Sequence, residues 1–178
     1  MHHRLIRNLD YVWRLEAGSK LTCVIEKDIF AEFQEKNLKY GFAMAMKEFH
    51  ETVTDFWELT TKPDLIRNDD KSYNLCHFWT NFEIMHIPSF QSISYKEFSD
   101  FVDATGLIYT SRLSDGPIRT IGVMRNFKTN EIAHLSDFGY IHTSHSFCPV
   151  LDRCYCKDGS MNECTDAFSK EFVKYSNE

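Results

Sequence analysis

Residues 72–84, SYNLCHFWTNFEI, set one carboxylate, Glu83, among Tyr73, Cys76, His77, Phe78, Trp79 and Phe82. The run is too apolar for a loop. A carboxylate in such surroundings stays charged only where a cation or hydrogen-bond donors offset the loss of water. Two readings follow: a strand-end Glu that reaches solvent, which is the commoner outcome, or a catalytic acid, base or nucleophile beside a sugar-sized pocket. Cys76 and His77 read as packing or pairing residues, and Trp79 is close enough to Glu83 in sequence to line such a pocket.

Upstream, residues 9–15 and 20–25 are β-branched and aromatic around Gly18 and read as strands. Residues 27–37 carry Ile29, Phe30 and Phe33 on one helical face behind Asp28 as N-cap. The apolar run 40–46, YGFAMAM, predicts one buried strand ending near Glu48, and 52–66 predicts a helix interrupted by Pro63. Downstream, Ser94 and Glu97 form an S-x-x-E capping box for a helix that Gly106 ends. Asp115 caps a further helix with Pro117 in its first turn. Residues 132–140 read as the last strand, and 166–175 as a closing helix.

The 178 residues suit one domain spanning 1–178, and 43% hydrophobic and 15% aromatic content argues against disorder. The net charge of −6, with basic residues scattered, argues against a nucleic-acid groove. No apolar run reaches the ~20 residues of a membrane span, and the first residues lack the apolar core of a signal peptide. Six cysteines, Cys23, Cys76, Cys148, Cys154, Cys156 and Cys164, favour disulfides in an oxidising compartment. A zinc knot of the last four, with His142 and His145 nearby, ranks lower, because Cys154 and Cys156 are spaced more tightly than paired zinc ligands usually are.

Phosphate-binding glycine loops and a serine nucleophile elbow are absent. What remains is Glu48, Glu83 and His142 at the ends of three predicted strands. Two carboxylates and an imidazole suit a divalent ion such as Mn²⁺ whose other positions go to water or phosphate oxygens. A second carboxylate facing a sugar carbon stabilises an oxocarbenium-like centre or attacks it.

The motif YNLCHFWTNFEI resembles the YNLCHFWSNFEI signature of the fungal glycolipid 2-alpha-mannosyltransferase family, Golgi enzymes that make α-1,2-mannose links. YVWRLEA at 11–17 resembles that family's YYWRVEP, and YGFAMAMKEFHETVTDFW at 40–57 its YGF strand followed by an acidic residue, a Thr and a Trp. SDFGYIH at 136–142 resembles its D-x-G-Y-x-H segment. The resemblance implies an α/β, GT-A-like nucleotide-diphospho-sugar transferase fold, a mixed sheet flanked by helices. It implies Mn²⁺ as cofactor with Glu48 and His142 as ligands, and Glu83 as the catalytic carboxylate of a retaining reaction. Asp115, Trp79 and Tyr140 would bind substrate. The donor implied is GDP-mannose, the acceptor a mannoside on glycoproteins or glycolipids, and the location the Golgi lumen or membrane.

Departures fall around the acceptor side. RWGDAP has become RLSDGP at 112–117, and Arg119 stands where the family usually has His. The family also carries a tail, a membrane anchor, a stem and a first half of the nucleotide-binding layer before the YYWRVEP block. The resemblance therefore implies an N-terminally truncated fold with an open sheet edge, and a second reading in which the chain is a non-catalytic remnant acting as a binding or assembly protein.

Overall fold

The computed structural model of the chain describes residues 3–156 and 161–175. Its centre is a mixed five-stranded sheet built from β1 (Tyr11–Leu15), β3 (Tyr40–Phe42), β6 (Phe82–His86), β7 (Ile132–His134) and β10 (Val173–Lys174), in the order β1-β6-β3-β7-β10. β6 runs antiparallel to both its neighbours, whereas β3, β7 and β10 run parallel. Three strands lie in a second, antiparallel sheet, β2 (Lys20–Leu21), β8 (Tyr140–His142) and β9 (His145–Phe147). A third sheet pairs β4 (Ala45–Lys47) with β5 (Cys76–Phe78).

Strand alternation divides the core. Phe82 and Ile84 of β6 face one apolar cluster with Phe33, Leu135, Phe138 and Tyr140. Glu83 and Met85 face the other way, as the period of two requires, and Met85 joins Tyr40, Phe42, Phe78, Phe98, Ile121 and Phe168. Helices cover both faces: α1 (Ile29–Glu35), α2 (His50–Leu59), α3 (Ile87–Phe90), α4 (Ile93–Thr105), α5 (Leu107–Thr110), α6 (Asp115–Asn126) and α7 (Glu163–Glu171). At Gly41 a Cβ would lie 2.5 Å from Phe33 Cζ, so α1 packs onto β3 only because that residue has no side chain.

Several predicted elements hold: Asp28 caps α1 through bonds from the Phe30 and Ala31 amides, and Gly106 ends α4 with φ of 66°. Others are corrected. The run 40–46 is two strands in different sheets, because the chain leaves the central sheet after Phe42 and pairs again with β5 from Ala45. The run 132–140 likewise divides into β7 and β8, turning at Gly139, whose φ is 30°. The strand at 20–25 shrinks to Lys20–Leu21, with Cys23 in an isolated bridge to Cys154. The helix at 52–66 starts at His50 and stops at Leu59 before Pro63, and a 3-10 turn follows at Asp64–Ile66. The cap of α4 is Ser92, whose hydroxyl accepts from the Tyr95 amide, which leaves Ser94 and Glu97 inside the helix. Ser114 caps α6 and Asp115 is its first residue. The closing helix ends at Glu171 and the chain finishes as β10.

All six cysteines pair, Cys23 with Cys154, Cys76 with Cys164 and Cys148 with Cys156. The disulfide reading therefore stands over the zinc knot. Cys76–Cys164 ties β5 to α7, and the other two staple the cysteine-rich segment onto the second sheet. No helix among the described residues is long and apolar enough to cross a membrane.

Candidate functional site

A cleft of about 370 Å³ opens where four segments meet. The end of β4 and start of α2 contribute Lys47, Glu48 and Phe49, the turn between β5 and β6 contributes Trp79, Thr80 and Asn81, α6 begins with Ser114, Asp115 and Gly116, and β9 brings His145. Close approach of α6 to β5 depends on Gly116, where a Cβ would sit 2.3 Å from His77 Nδ1. His77 is buried at the cleft floor with Nδ1 2.8 Å from the Phe78 carbonyl, and burial pushes its imidazole below the usual value despite Glu48 nearby.

Glu48 presents both oxygens to the cleft side. One accepts from the Phe49 amide at 2.9 Å, and the other accepts the hydroxyl of Ser114. That hydroxyl is the cap position of α6, yet it makes no capping bond to its own helix. Its donor is committed to Glu48 instead.

His142 does not line the cleft. It stands behind Trp79, ring centroids 5.5 Å apart, while His145 touches the same indole at 5.3 Å from the cleft itself. Ser19 Oγ lies 3.2 Å from His142 Nδ1, and Nε2 has no hydrogen-bond partner among the described residues. Tyr140 is deeper still, buried against Phe82 with its hydroxyl 2.8 Å from Ser19 Oγ.

Glu83 is placed apart from the cleft. Its side chain is 0% exposed, on the helix-covered face of β6. Arg119 of α6 approaches with Nε 2.9 Å from Oε2 and Nη2 3.4 Å from Oε1, and Tyr40 donates its hydroxyl to Oε2 at 3.1 Å. Arg14, the direct cross-strand neighbour of Glu83 in β1, holds Nη1 3.6 Å from Oε1. The same Nη1 donates to Asp115 Oδ2 at 2.8 Å, and Thr80 donates to that oxygen at 3.0 Å. Glu83 is therefore one guanidinium removed from the cleft, and Asp115, with 61% of its side chain exposed, stands at the wall.

The electrostatics follow. Burial lowers the Arg119 guanidinium, but the Glu83 charge together with Tyr95 and Tyr40 outweighs this and raises it above its ordinary value. Burial raises Tyr40 well above the phenol range, with Glu83 adding to the effect, so it stays a donor. Burial alone would raise Asp115; the hydrogen bonds from Arg14 and Thr80 outweigh it and hold the carboxyl below the usual range.

The structure thus brings Glu48, Trp79 and Asp115 to one cleft, places His142 one ring behind it, and sets Glu83 and Tyr140 in the interior. Arg14, Ser114, Thr80 and Ser19 were not singled out from sequence. Their partners lie far along the chain, Arg14 and Asp115 being 101 residues apart, and no local pattern marks such pairs. No three His, Cys, Asp or Glu side chains among the described residues are grouped to hold a metal. Glu48 at the cleft suits a divalent cation that draws its other ligands from a diphosphate, whereas His142, outside the cleft, is not brought together with it.

Comparison with known proteins identifies the family. The sequence profile of the glycolipid 2-alpha-mannosyltransferase family matches residues 1–176. Alpha-1,2 mannosyltransferase KTR1 of Saccharomyces cerevisiae is 35% identical over 98% of this chain and 47% of its own length. The mannosyltransferase Ktr4p of S. cerevisiae, solved in complex with GDP, superposes with a TM-score of 0.82 at 26% identity over 97% of this chain and 53% of that one. Core-mannan synthase A of Aspergillus fumigatus, in its Mn/GDP form, has the same fold, with a TM-score of 0.83 at 22% identity over 97% and 55% of the two chains. The chain spans about half the length of these relatives. With nearly its whole sequence matched, the chain belongs to the glycolipid 2-alpha-mannosyltransferase family.

Proposed function

We propose that the cleft transfers mannose from GDP-mannose to the 2-hydroxyl of a mannoside on glycoproteins or glycolipids. One observation carries the proposal: in a chain of this family, Glu48 and Asp115 line one hollow with the Trp79 indole between polar walls. KTR1 supplies the α-1,2 linkage, and the GDP and manganese of the two solved relatives supply the donor and the ion. Glu48 would hold the manganese at the cleft, with Ser114 orienting it, while His142, steadied by Ser19, stands outside the cleft. Manganese, when bound, neutralises the charge that develops on the diphosphate.

In the reaction the bond from the anomeric carbon to the diphosphate oxygen breaks with its electron pair on that oxygen. The acceptor hydroxyl oxygen forms the new bond, and its proton leaves to the departing phosphate. Asp115 Oδ1, which no hydrogen bond from the described residues engages, accepts a sugar hydroxyl, and Trp79 offers an apolar face to the ring. Burial of Glu83 behind Arg14 and Arg119 favours retention by departure and attack on one face, with Glu83 acting through its charge. Tyr140 packs against Trp79, ring centroids 6.1 Å apart. The three disulfides support an oxidising compartment, and the Golgi lumen is the proposed location.

Calorimetric titration with GDP tests the proposal directly. GDP should bind in the presence of Mn²⁺, and Glu48→Gln should weaken that binding at least about tenfold, a change of ~1.4 kcal/mol. Absence of GDP binding by the wild-type chain at saturating Mn²⁺ would overturn it.

A further inference from the structure

Lys47 is the last residue of β4 and part of the cleft wall. The strand stops there, so the alternation of faces no longer parts it from Glu48, and both residues line the same hollow. Among the described residues that line this hollow, Lys47 alone bears an ammonium or guanidinium group. The imidazole of His77 is held below its usual value by burial and adds no positive charge at neutral pH.

The ammonium has a partner outside the cleft. Lys47 Nζ lies 2.5 Å from Oε1 of Glu163, the first residue of α7, and the two side chains are 52% and 72% exposed. What surrounds this contact puts it in place. Cys76 is the cross-strand neighbour of Lys47 and is bonded to Cys164, the residue after Glu163. Thr165 donates to the Ala45 carbonyl at 3.0 Å and accepts from the Ala45 amide at 2.9 Å, both bonds buried. A disulfide and these bonds therefore fix α7 to β4 and β5. An ion pair this exposed adds little to such an anchorage, because water screens it and two long side chains lose freedom to make it. The ammonium is kept at the cleft without the fold depending on it.

The charges of the cleft say what it serves. Asp115 is offset by Arg14. A diphosphate diester brings two negative charges and Glu48 a third, of which a divalent ion offsets two. One positive charge is wanting, and the diphosphate gains a further negative charge as the sugar departs. An ammonium on a flexible four-carbon stem can turn from an exposed carboxylate to a phosphate oxygen without movement of the backbone.

We propose that Lys47 is a diphosphate-binding residue that exchanges Glu163 for a phosphate oxygen of the donor, so that Glu163 sets donor affinity from outside the cleft. The inference rests on the transferase reading and adds to it a cation and a competitor for that cation.

Calorimetric titration with GDP at saturating Mn²⁺ across a small set of variants decides it. Lys47→Met should weaken binding about tenfold, the loss of a charge-assisted contact. Lys47→Arg, which keeps the charge, should stay within about threefold of wild type. Glu163→Gln, which removes the competitor, should tighten binding by about two- to fivefold. The double variant Lys47→Met/Glu163→Gln should bind as weakly as Lys47→Met, since the carboxylate acts only through that ammonium. All should unfold in urea close to wild type, because neither side chain is buried. Wild-type affinity in Lys47→Met would overturn the inference and leave the transferase reading intact. Weaker binding in both single variants would make the pair a structural clasp, and tightening by Glu163→Gln that persists in the Lys47→Met background would reduce Glu163 to a distant charge; either result overturns the exchange. No GDP binding by the wild-type chain would strike the transferase reading and this inference with it.

Discussion

Glu83 and Asp115 share one guanidinium and otherwise have little in common. Arg14 Nη1 reaches both, yet Glu83 is 0% exposed and Asp115 61%. The interior carboxylate has every contact made within the chain: two arginines and a tyrosine. The one at the cleft wall keeps an oxygen for something else. Charge inside a core must be neutralised at the moment of folding, so its partners become structural; charge at a rim is left with capacity for a ligand. Of the carboxylates in this region, Asp115 is the one that keeps an oxygen without a hydrogen bond among the described residues, and the fully paired node beneath supports the wall.

The sharpest way to break this contrast is to remove one partner from each side. Arg119→Met leaves Glu83 buried with a weaker set of donors and should cost about 3–5 kcal/mol in urea unfolding. The double variant Glu83→Gln/Arg119→Met, which removes both charges, should recover much of that loss while mannosyl transfer stays low. Glu48→Gln, at the cleft, retains one acceptor oxygen for the two donors that the carboxylate receives and should cost no more than about 1 kcal/mol. Equal losses from Arg119→Met and Glu48→Gln would show that the two regions do not differ in kind.

The sequence made the cleft side easier to read than the node. Glu48 and Trp79 were marked by their own surroundings, and Asp28 and Gly106 announced a helix start and stop through local chemistry that a single window contains. The commoner expectation for Glu83, a strand-end carboxylate that reaches solvent, is overturned by its complete burial, and the alternative, a carboxylate that needs partners, holds. That the partners were Arg14 and Arg119 depended on strand register and on α6 lying over β6, which no window contains. The same limit explains the strand errors. YGFAMAM is apolar throughout, so nothing in it marks Ala43 and Met44 as the point where the chain changes sheets, since both sides of the step are buried. The disulfides were legible in number and kind but not in pairing, because six cysteines allow many connectivities.

The histidines sharpen the contrast further. His134 lies inside the central sheet, its Nε2 3.2 Å from the Ala43 carbonyl and its Nδ1 buried without a partner among the described residues. Burial pushes its imidazole down to about 4. In the unfolded chain a histidine takes its proton near pH ~6.5. Between these values the unfolded state binds the additional proton, so this contribution to stability is whole above about pH 6.5 and is lost as the pH falls towards 4. The span corresponds to about 3 kcal/mol. His134→Phe, which retains a ring against Phe42 and Phe147, should flatten the pH dependence of urea unfolding across that window relative to wild type. A difference curve with no slope there would mean that the interior tolerates the imidazolium.

The smallest effect is expected at Ser114, and it separates support of a fold from support of a site. A helix-cap serine usually loses about 1 kcal/mol when replaced by Ala, because its hydroxyl satisfies a backbone amide of the first turn. Ser114 occupies that position in α6 without making the bond, and its hydroxyl goes to Glu48. Ser114→Ala should therefore change unfolding free energy by less than a cap substitution does, while Mn²⁺-dependent GDP binding weakens by roughly 10–100-fold, as when the group orienting a metal ligand is removed. Ser92→Ala is the matched control, since Ser92 caps α4 with a bond from the Tyr95 amide. It should cost cap stability and leave GDP binding alone. If the two serines lose stability equally and GDP binding is unmoved, the Ser114 hydroxyl serves the helix, and the cleft carboxylate is as self-contained as the buried one.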